Sequence, residues 1–123
     1  MTPTIVLVDG EPWFATGSPG GSRIITTVLQ VVVNVIDHGM NLAEAAIAPR
    51  MHHQWYPDVL QLEPGFSPDT VRLLQEKGHD VQRTRYTMGS IQSVGFKDGV
   101  YRGSSDSRRP NAASTAPAEK RDQ

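Results

Sequence analysis

The sequence contains no cysteine, which excludes disulfide bonds and thiolate metal sites. Charge of neither sign dominates, because 12 lysines and arginines stand against 13 aspartates and glutamates. This balance gives no electrostatic reason to expect a nucleic acid partner. A helix that crosses a membrane needs about 20 mostly apolar residues. The most apolar stretch is shorter and is interrupted by polar residues, so no membrane span is expected.

The two ends of the chain also lack characteristic features. Met1–Thr4 shows neither a charged region nor a following apolar stretch, so no signal peptide is expected within this sequence. Ser104–Gln123 contains no aromatic residue, valine, isoleucine or leucine. Such a segment cannot bury enough apolar surface to offset the entropy lost on ordering. We therefore predict a folded domain over residues 1–105 and a polar, disordered tail over residues 106–123.

Charged residues near the start of this tail allow two interpretations. Arg102, Arg108 and Arg109 form a basic cluster that leads into the polar tail, which favours a solvated chain end. A pairing of Asp106 with Arg108 that fastens the chain end is the alternative.

Turn and periodicity signals predict alternating hairpins and helices. Two β-branched or aromatic runs flank Asp9-Gly10, a pair typical of a hairpin turn. Ser22–His38 lacks glycine and proline and is apolar around most of a helical circumference, which favours a buried helix. Its β-branched content leaves a buried strand as the alternative. Because hairpins dominate, we expect an α+β fold of antiparallel sheets with packed helices. The remaining predicted elements are helices over Asn41–Ala48 and Ser67–Lys77 and strands over Met51–Trp55, Val59–Glu63, His79–Arg83, Ile91–Phe96 and Val100–Arg102.

A glycine-rich loop precedes the first predicted helix, where residues 16–30 read TGSPGGSRIITTVLQ. Gly20 and Gly21 lack a Cβ atom, so a ligand could approach their main chain closely. The N–H groups that open a helix also attract an anion. The residues alone favour a loop shaped only for turning. Ser18 and Ser22 flank the glycines without a base nearby in sequence or a G-x-S-x-G pattern, so we interpret them as loop or cap serines.

This loop resembles the glycine-rich signature of the γ-glutamyltransferases, also called γ-glutamyltranspeptidases or glutathione hydrolases. The similarity continues through Ala48–Trp55 (APRMHHQW) and Phe66–Asp69 (FSPD). It reaches Met88–Ser90 with Gln92, and then Ser105-Asp106. These segments together span nearly all of the predicted folded region.

The resemblance implies an N-terminal-nucleophile hydrolase fold, an αββα sandwich. In this family a precursor cuts itself into a large and a small subunit, and the new N-terminal threonine of the small subunit is the nucleophile. A γ-glutamyl-enzyme forms, and its γ-glutamyl group passes to water or to an acceptor amine. The implied substrates are glutathione and its analogues. No metal or organic cofactor is implied, and the implied location in bacteria is periplasmic or extracellular.

The chain departs from the family pattern because it matches only the C-terminal portion of the small subunit. The threonine nucleophile, a Ser-Ser pair expected just before Met1, an upstream acidic residue and a large-subunit arginine are missing. The resemblance transfers only Gly20 and Gly21, as oxyanion-hole N–H donors and as substrate-binding residues. We expect the isolated chain to be inactive, to expose apolar surface and to need the upstream small-subunit segment and the large subunit as partners.

Two other classes of function remain open. The chain could be a non-catalytic truncated or structural subunit that needs a partner chain. It could also be a free-standing module that binds small carboxylates at Gly20 and Gly21.

Arg23 and three aromatic residues carry further expectations. Arg23 stands in the first turn of a predicted helix, where its charge opposes the helix dipole. This position suggests that Arg23 has a specific partner, such as a carboxylate. A salt bridge or simple packing of the side chain are the alternatives. Trp13, Trp55 and Tyr56 are interpreted as core or subunit-interface residues.

The four histidines do not show metal-ligand spacing. His52 and His53 are adjacent, so on a strand they point to opposite faces and cannot easily bind one metal ion. His38 and His79 have no ligand-spaced neighbours. A metal site is therefore not expected.

Overall fold

Two hairpins and three helices account for most of the regular structure. The computed structural model describes residues 3–115. Both hairpin turns place two residues in the left-handed region, Asp9-Gly10 at φ 53° and 86° and Asp98-Gly99 at φ 54° and 78°, as two-residue hairpin turns require. The elements are β1 (Thr4–Val8), β2 (Glu11–Gly17), α1 (Arg23–Ile36), α2 (Leu42–Ile47), β3 (Met51–His52), β4 (Leu60–Leu62), α3 (Pro68–Glu76), β5 (Val81–Arg83), β6 (Gln92–Lys97) and β7 (Val100–Ser105).

The main sheet is antiparallel and has the strand order β1-β2-β6-β7. Phe14 pairs with Gly95, and Thr16 pairs with Ser93 across the β2–β6 junction. One face of this sheet packs against α1 and α2, because Phe14 belongs to a buried cluster with residues of both helices. The members of that cluster are Phe14, Val31, Val35, Ala45, Ala46 and Ile91. The α+β class predicted from the sequence is confirmed.

Helix α1 is amphipathic, so the prediction of a helix buried all round is wrong. Its buried residues include Thr27, Val31 and Val35, which recur on one helical face. Ile25 and Leu29 on the other side are exposed, because nothing within residues 3–115 covers them. The strand alternative for this segment is excluded.

The second sheet has the strand order β3-β4-β5 and is mixed. Strands β4 and β5 pair in parallel, which the prediction of purely antiparallel sheets missed. The reason is the connection, since α3 crosses over between them and returns the chain in the same direction. Strand β3 also ends earlier than predicted, and Trp55 adopts φ 70° outside the extended region.

Helix starts follow the sequence signals. Asn41 Oδ1 accepts from the backbone N–H groups of Ala43 and Glu44, and the Glu44 carboxylate accepts from the N–H of Asn41. This is the capping box. Ser67 Oγ accepts from the N–H of Thr70 at the start of α3. No helix within residues 3–115 has the length and apolarity to cross a membrane.

The packed chain continues past residue 105, the predicted domain boundary. Asp106 is fully buried and donates its N–H to the carbonyl of Ile91 at 2.9 Å. Arg108 and Arg109 turn inward, so their interpretation as solvated residues is wrong, whereas Arg102 is exposed. Ion pairs rather than apolar area hold this segment, which a hydrophobicity argument does not detect. Residues 116–123 of the predicted tail lie outside the described part of the chain.

Candidate functional site

The glycine loop presents backbone donors at the start of α1. Gly21 adopts φ 58°, a conformation that favours glycine. The carbonyls of Gly20 and Gly21 accept from the N–H groups of Arg23 and Ile24 at 3.1 and 3.2 Å, which begins the helical bonding. Within residues 3–115 the N–H groups of Gly20 and Gly21 have no protein acceptor. Both glycines are exposed.

The two flanking serines differ in their environment. Ser22 occupies the N-cap position of α1 but makes no side-chain capping bond. Ser18 is fully buried. Its hydroxyl donates to the carbonyl of Pro19 at 2.7 Å and accepts from the N–H of Ser90 at 2.8 Å. Ser18 therefore joins the glycine loop to a segment 72 positions later in the sequence.

The segment Thr87–Ser90 lies directly against the glycine loop. A Cβ atom added at Gly89 would stand 2.4 Å from Ser18 Oγ and 3.0 Å from Thr27 Cγ2. A Cβ atom added at Gly20 would stand 3.6 Å from the Cα atom of Gly89. Only a glycine at position 89 permits this approach, because its φ of 68° also disfavours a side chain.

A buried ionic network lies beside this segment and contains two arginines and two carboxylates. Arg50 Nη1 donates to Asp106 Oδ2 at 2.9 Å. Arg108 donates to both carboxylates, through Nε to Asp106 Oδ1 at 2.9 Å and through Nη1 to Glu63 Oε2 at 2.8 Å. Glu63 Oε2 also accepts from the backbone N–H of Arg50 at 2.9 Å. The formal charges of the four side chains cancel, which a buried set requires.

The network and Arg109 together hold the backbone of Thr87–Ser90. Arg50 Nη1 donates to the carbonyl of Met88 at 2.8 Å, and Glu63 Oε1 accepts from the N–H of Met88. Arg109 donates through Nε to the carbonyl of Gly89 at 2.7 Å and through Nη2 to that of Thr87 at 2.6 Å. Every residue of the segment therefore has a backbone group bonded to a side chain elsewhere in the fold.

Burial and ion pairing shift three pKa values in the network. Burial, and next the charge of Arg108, lower the pKa of Arg50 below its ordinary value. Burial alone would raise the pKa of Asp106, but hydrogen bonds from Arg108 and Arg50 outweigh it and leave the pKa lowered. Burial alone would lower the pKa of Arg108, but its bonds to Asp106 and Glu63 outweigh it and leave the pKa raised. The shifts of Asp106 and Arg108 favour their charged forms, whereas the shift of Arg50 disfavours its charged form.

Within the described part of the chain, the partners of Arg23 are neutral side chains. Its guanidinium donates to Gln61 Oε1 at 2.8 Å and to the hydroxyl of Tyr86 at 3.1 Å. It also lies 5.6 Å from the centroid of the Tyr86 ring. These contacts fasten α1 to β4 and to the loop after β5.

The adjacent histidines have separate partners. His52 is buried, with Nδ1 2.8 Å from Thr26 Oγ1 and Nε2 3.0 Å from Gln54 Oε1. His53 Nε2 lies 2.9 Å from Asp58 Oδ1 in an exposed loop. Residues 3–115 contain no group of three or more histidines or carboxylates arranged to hold a metal ion.

The three singled-out aromatic residues do not share one environment. Trp13 is half-buried and meets Phe14 edge-on at 5.2 Å between ring centroids. Trp55 is 82% exposed and Tyr56 is 85% exposed. These two are not core residues of the described part of the chain, and their interpretation as interface residues stays a prediction.

Comparison with known proteins identifies the family. The sequence profile of the family described as gamma-glutamyltranspeptidase matches residues 1–116. The chain belongs to the γ-glutamyltranspeptidase family. It is 61% identical over 109 residues to the glutathione hydrolase proenzyme of Escherichia coli. The aligned region covers 88% of this chain and 19% of that protein. The chain thus spans about a fifth of the length of this curated relative.

Solved γ-glutamyltranspeptidases share the fold. A mutant of the Helicobacter pylori enzyme aligns with TM-score 0.83 and 45% identity over 89% of this chain and 61% of that one. The Pseudomonas nitroreducens enzyme complexed with L-DON aligns with TM-score 0.84 and 31% identity over 94% of this chain and 62% of that one. The family and the N-terminal-nucleophile hydrolase fold class predicted from the sequence are confirmed.

Sequence patterns reveal the glycine loop but not the network beside it. Arg50 and Asp106 stand inside two segments that carry the resemblance, yet of the pairs in the network the sequence suggests only that of Asp106 with Arg108. Charged residues within an otherwise family-like stretch were the available signal. Arg108 lies two positions from Asp106, but the other pairs of the network lie 13 to 56 positions apart in the sequence, so spacing alone does not reveal them.

Proposed function

We propose that this chain is the C-terminal part of the small catalytic subunit of a γ-glutamyltransferase. The complete enzyme would cleave γ-glutamyl amide bonds of glutathione and its analogues and pass the γ-glutamyl group to water or to an acceptor amine. The observation that carries the proposal is the pair of exposed glycines, Gly20 and Gly21, whose N–H groups have no acceptor within residues 3–115, in a chain of this family.

The chemistry of acyl transfer explains why such donors matter. Attack on the substrate carbonyl places negative charge on its oxygen, and N–H groups aimed at that oxygen stabilise the intermediate. The α1 dipole adds a favourable field at the same point. No acidic residue lies in the first turn of α1 to oppose an anion. We assign Gly20 and Gly21 to the oxyanion hole and to substrate binding; the threonine nucleophile would come from the upstream small-subunit segment.

The outer face of the main sheet supports the need for partner chains. Ile5, Val94 and Phe96 lie exposed on β1 and β6, and Tyr101 on β7 is 76% exposed. Ile5 and Val94 both pair with Ala15, so they belong to one row across the sheet. Exposed apolar surface of this kind favours association. We propose that the upstream segment and the large subunit cover it, and, from the family resemblance alone, that the enzyme is periplasmic or extracellular.

The decisive experiment measures release of a chromogenic amine from a γ-glutamyl anilide. We expect no turnover by the 123-residue chain and turnover when the upstream portion is supplied. Gly21→Ala, which forces a side chain into the left-handed region, should then lower kcat by about 10²- to 10³-fold, as expected for the loss of one oxyanion donor. Gly10→Ala is the matched control, because Gly10 also has positive φ but belongs to the remote β1–β2 turn.

Three outcomes would decide against the proposal. Turnover by the chain alone would show that the nucleophile lies within it. Inactivity of the assembled protein would favour the non-catalytic subunit. Light scattering from the chain alone gives the third test, since a monodisperse monomer would contradict the need for partners.

A further inference from the structure

We infer that Ser18 is a positioning residue of the proposed reaction, which orients the Gly20 N–H through the peptide bond between Pro19 and Gly20. The inference rests on the proposed function and extends it to a fully buried residue whose hydroxyl bonds to the backbone of Pro19 and Ser90. It begins with the buried hydroxyl of Ser18, which the assignment of the oxyanion hole leaves without a role.

The geometry of one peptide plane connects Ser18 to the donor. The carbonyl of Pro19 and the N–H of Gly20 belong to the same planar peptide unit, so rotation of one group rotates the other. Ser18 Oγ donates to that carbonyl at 2.7 Å. Because the carbonyl is held, the N–H on the opposite side of the plane points in a fixed direction.

The Ser18 hydroxyl is itself held in place. Its oxygen accepts the Ser90 N–H at 2.8 Å, so its proton is directed to the Pro19 carbonyl. Ser18 has no exposed surface, and water therefore does not compete for these bonds. The hydroxyl thus links the peptide plane of the donor to the segment Thr87–Ser90.

That segment is a rigid support for the link. Arg109 binds the carbonyls of Thr87 and Gly89, and Arg50 and Glu63 bind the two polar backbone groups of Met88. The Gly89 position without a side chain leaves space for Ser18 Oγ, since a Cβ atom there would stand 2.4 Å away. The buried charges thereby fix the direction of an N–H that lies outside their own network.

A donor that is misdirected affects the transition state more than the ground state. The oxyanion develops only during reaction, whereas substrate binding depends on contacts made before it. Loss of the Ser18 hydroxyl should therefore lower kcat and leave KM nearly unchanged. A misplacement of about 1 Å can cost about 10²-fold in rate, and we expect a loss of about 10- to 100-fold for Ser18→Ala.

The test uses the complete, active enzyme that contains this chain. Ser18→Ala is compared with Ser67→Ala, whose hydroxyl also accepts a backbone N–H but caps the remote helix α3. A glutamate analogue with a boronic acid at the γ-position becomes a tetrahedral anion and mimics the intermediate. Its affinity should fall by the same factor as kcat, and the affinity for glutamate should change less than about twofold. Ser67→Ala should leave kcat, the affinity for the boronic acid and the affinity for glutamate unchanged.

A second variant tests the inference even if the Ser18→Ala protein does not fold. Arg109→Ala removes the support of Thr87 and Gly89 without touching the glycine loop, and should lower kcat in the same selective way. Where both variants fold, the double variant should lose less activity than the product of the single losses, because both act through one segment. Unchanged kcat in either variant, or equal loss of boronate and glutamate affinity, would overturn the role of Ser18. An inactive unmutated enzyme would instead overturn the proposed function, and the inference with it.

Discussion

Replacing Asp106 with asparagine should open the segment Thr87–Ser90 and the chain end together. Asp106 accepts from Arg50 Nη1 at 2.9 Å and from Arg108 Nε and Nη2 at 2.9 and 3.0 Å. The substitution keeps the shape but removes the charge, so the buried set would hold two arginines against Glu63 alone. Removing one partner of a buried pair typically costs about 3–5 kcal/mol. Asp106 has no exposed surface and Arg50 only 1%, so little solvent screening reduces this value.

Amide hydrogen exchange followed by mass spectrometry measures this loss locally. A cost of about 3–5 kcal/mol corresponds to exchange faster by about two to four orders of magnitude. The acceleration should appear at the N–H groups of Met88, Ser90 and Asp106, each of which is hydrogen-bonded near the network. Peptides from the β1–β2 hairpin serve as the internal reference.

The matched control is Asp69→Asn, which removes an exposed carboxylate 3.6 Å from Arg72. Its cost should stay below about 1 kcal/mol, because exposed pairs and helix-dipole contacts are weak. If Asp106→Asn accelerates exchange no more than Asp69→Asn does, the four charges do not hold the segment, and the rigid support assigned to it is absent.

Two further predictions concern acid sensitivity and helix capping. Burial alone would raise the pKa of Asp106, but hydrogen bonds from Arg108 and Arg50 leave it lowered in the fold. Its stabilisation is therefore present above the unfolded pKa and is lost as pH falls through the lower folded pKa. Urea unfolding of the assembled protein from pH 7 to 3 should show this loss of stability for the unmutated sequence and a smaller loss for Asp106→Asn; the same pH dependence of stability in both proteins would contradict it. Asn41→Ala should cost about 1 kcal/mol by removing the α2 cap, whereas Asn41→Asp, which keeps an acceptor, should be nearly neutral in the same urea assay; equal costs would contradict the capping role.

Local signals sufficed for the elements whose causes are local. Asp9-Gly10 predicts its hairpin because few residues other than glycine, asparagine and aspartate adopt positive φ at low cost. Asn41 and Glu44 predict the start of α2 because their side chains reach only the nearest backbone groups. Where the cause lay elsewhere in the chain, prediction failed, as for the parallel pairing of β4 with β5 and the exposed side of α1.

Motifs and turn chemistry suffice to predict the family, the α+β class and the glycine loop, since both act over a few neighbouring residues. Packing in three dimensions buries Asp106, pairs Arg50 and Arg108 with it, and brings Ser18 to Ser90. These contacts join residues 2 to 72 positions apart in the sequence. Charged side chains give no periodic pattern that reveals their partners, because an ion pair requires two groups to meet in space and leaves their separation along the chain unconstrained.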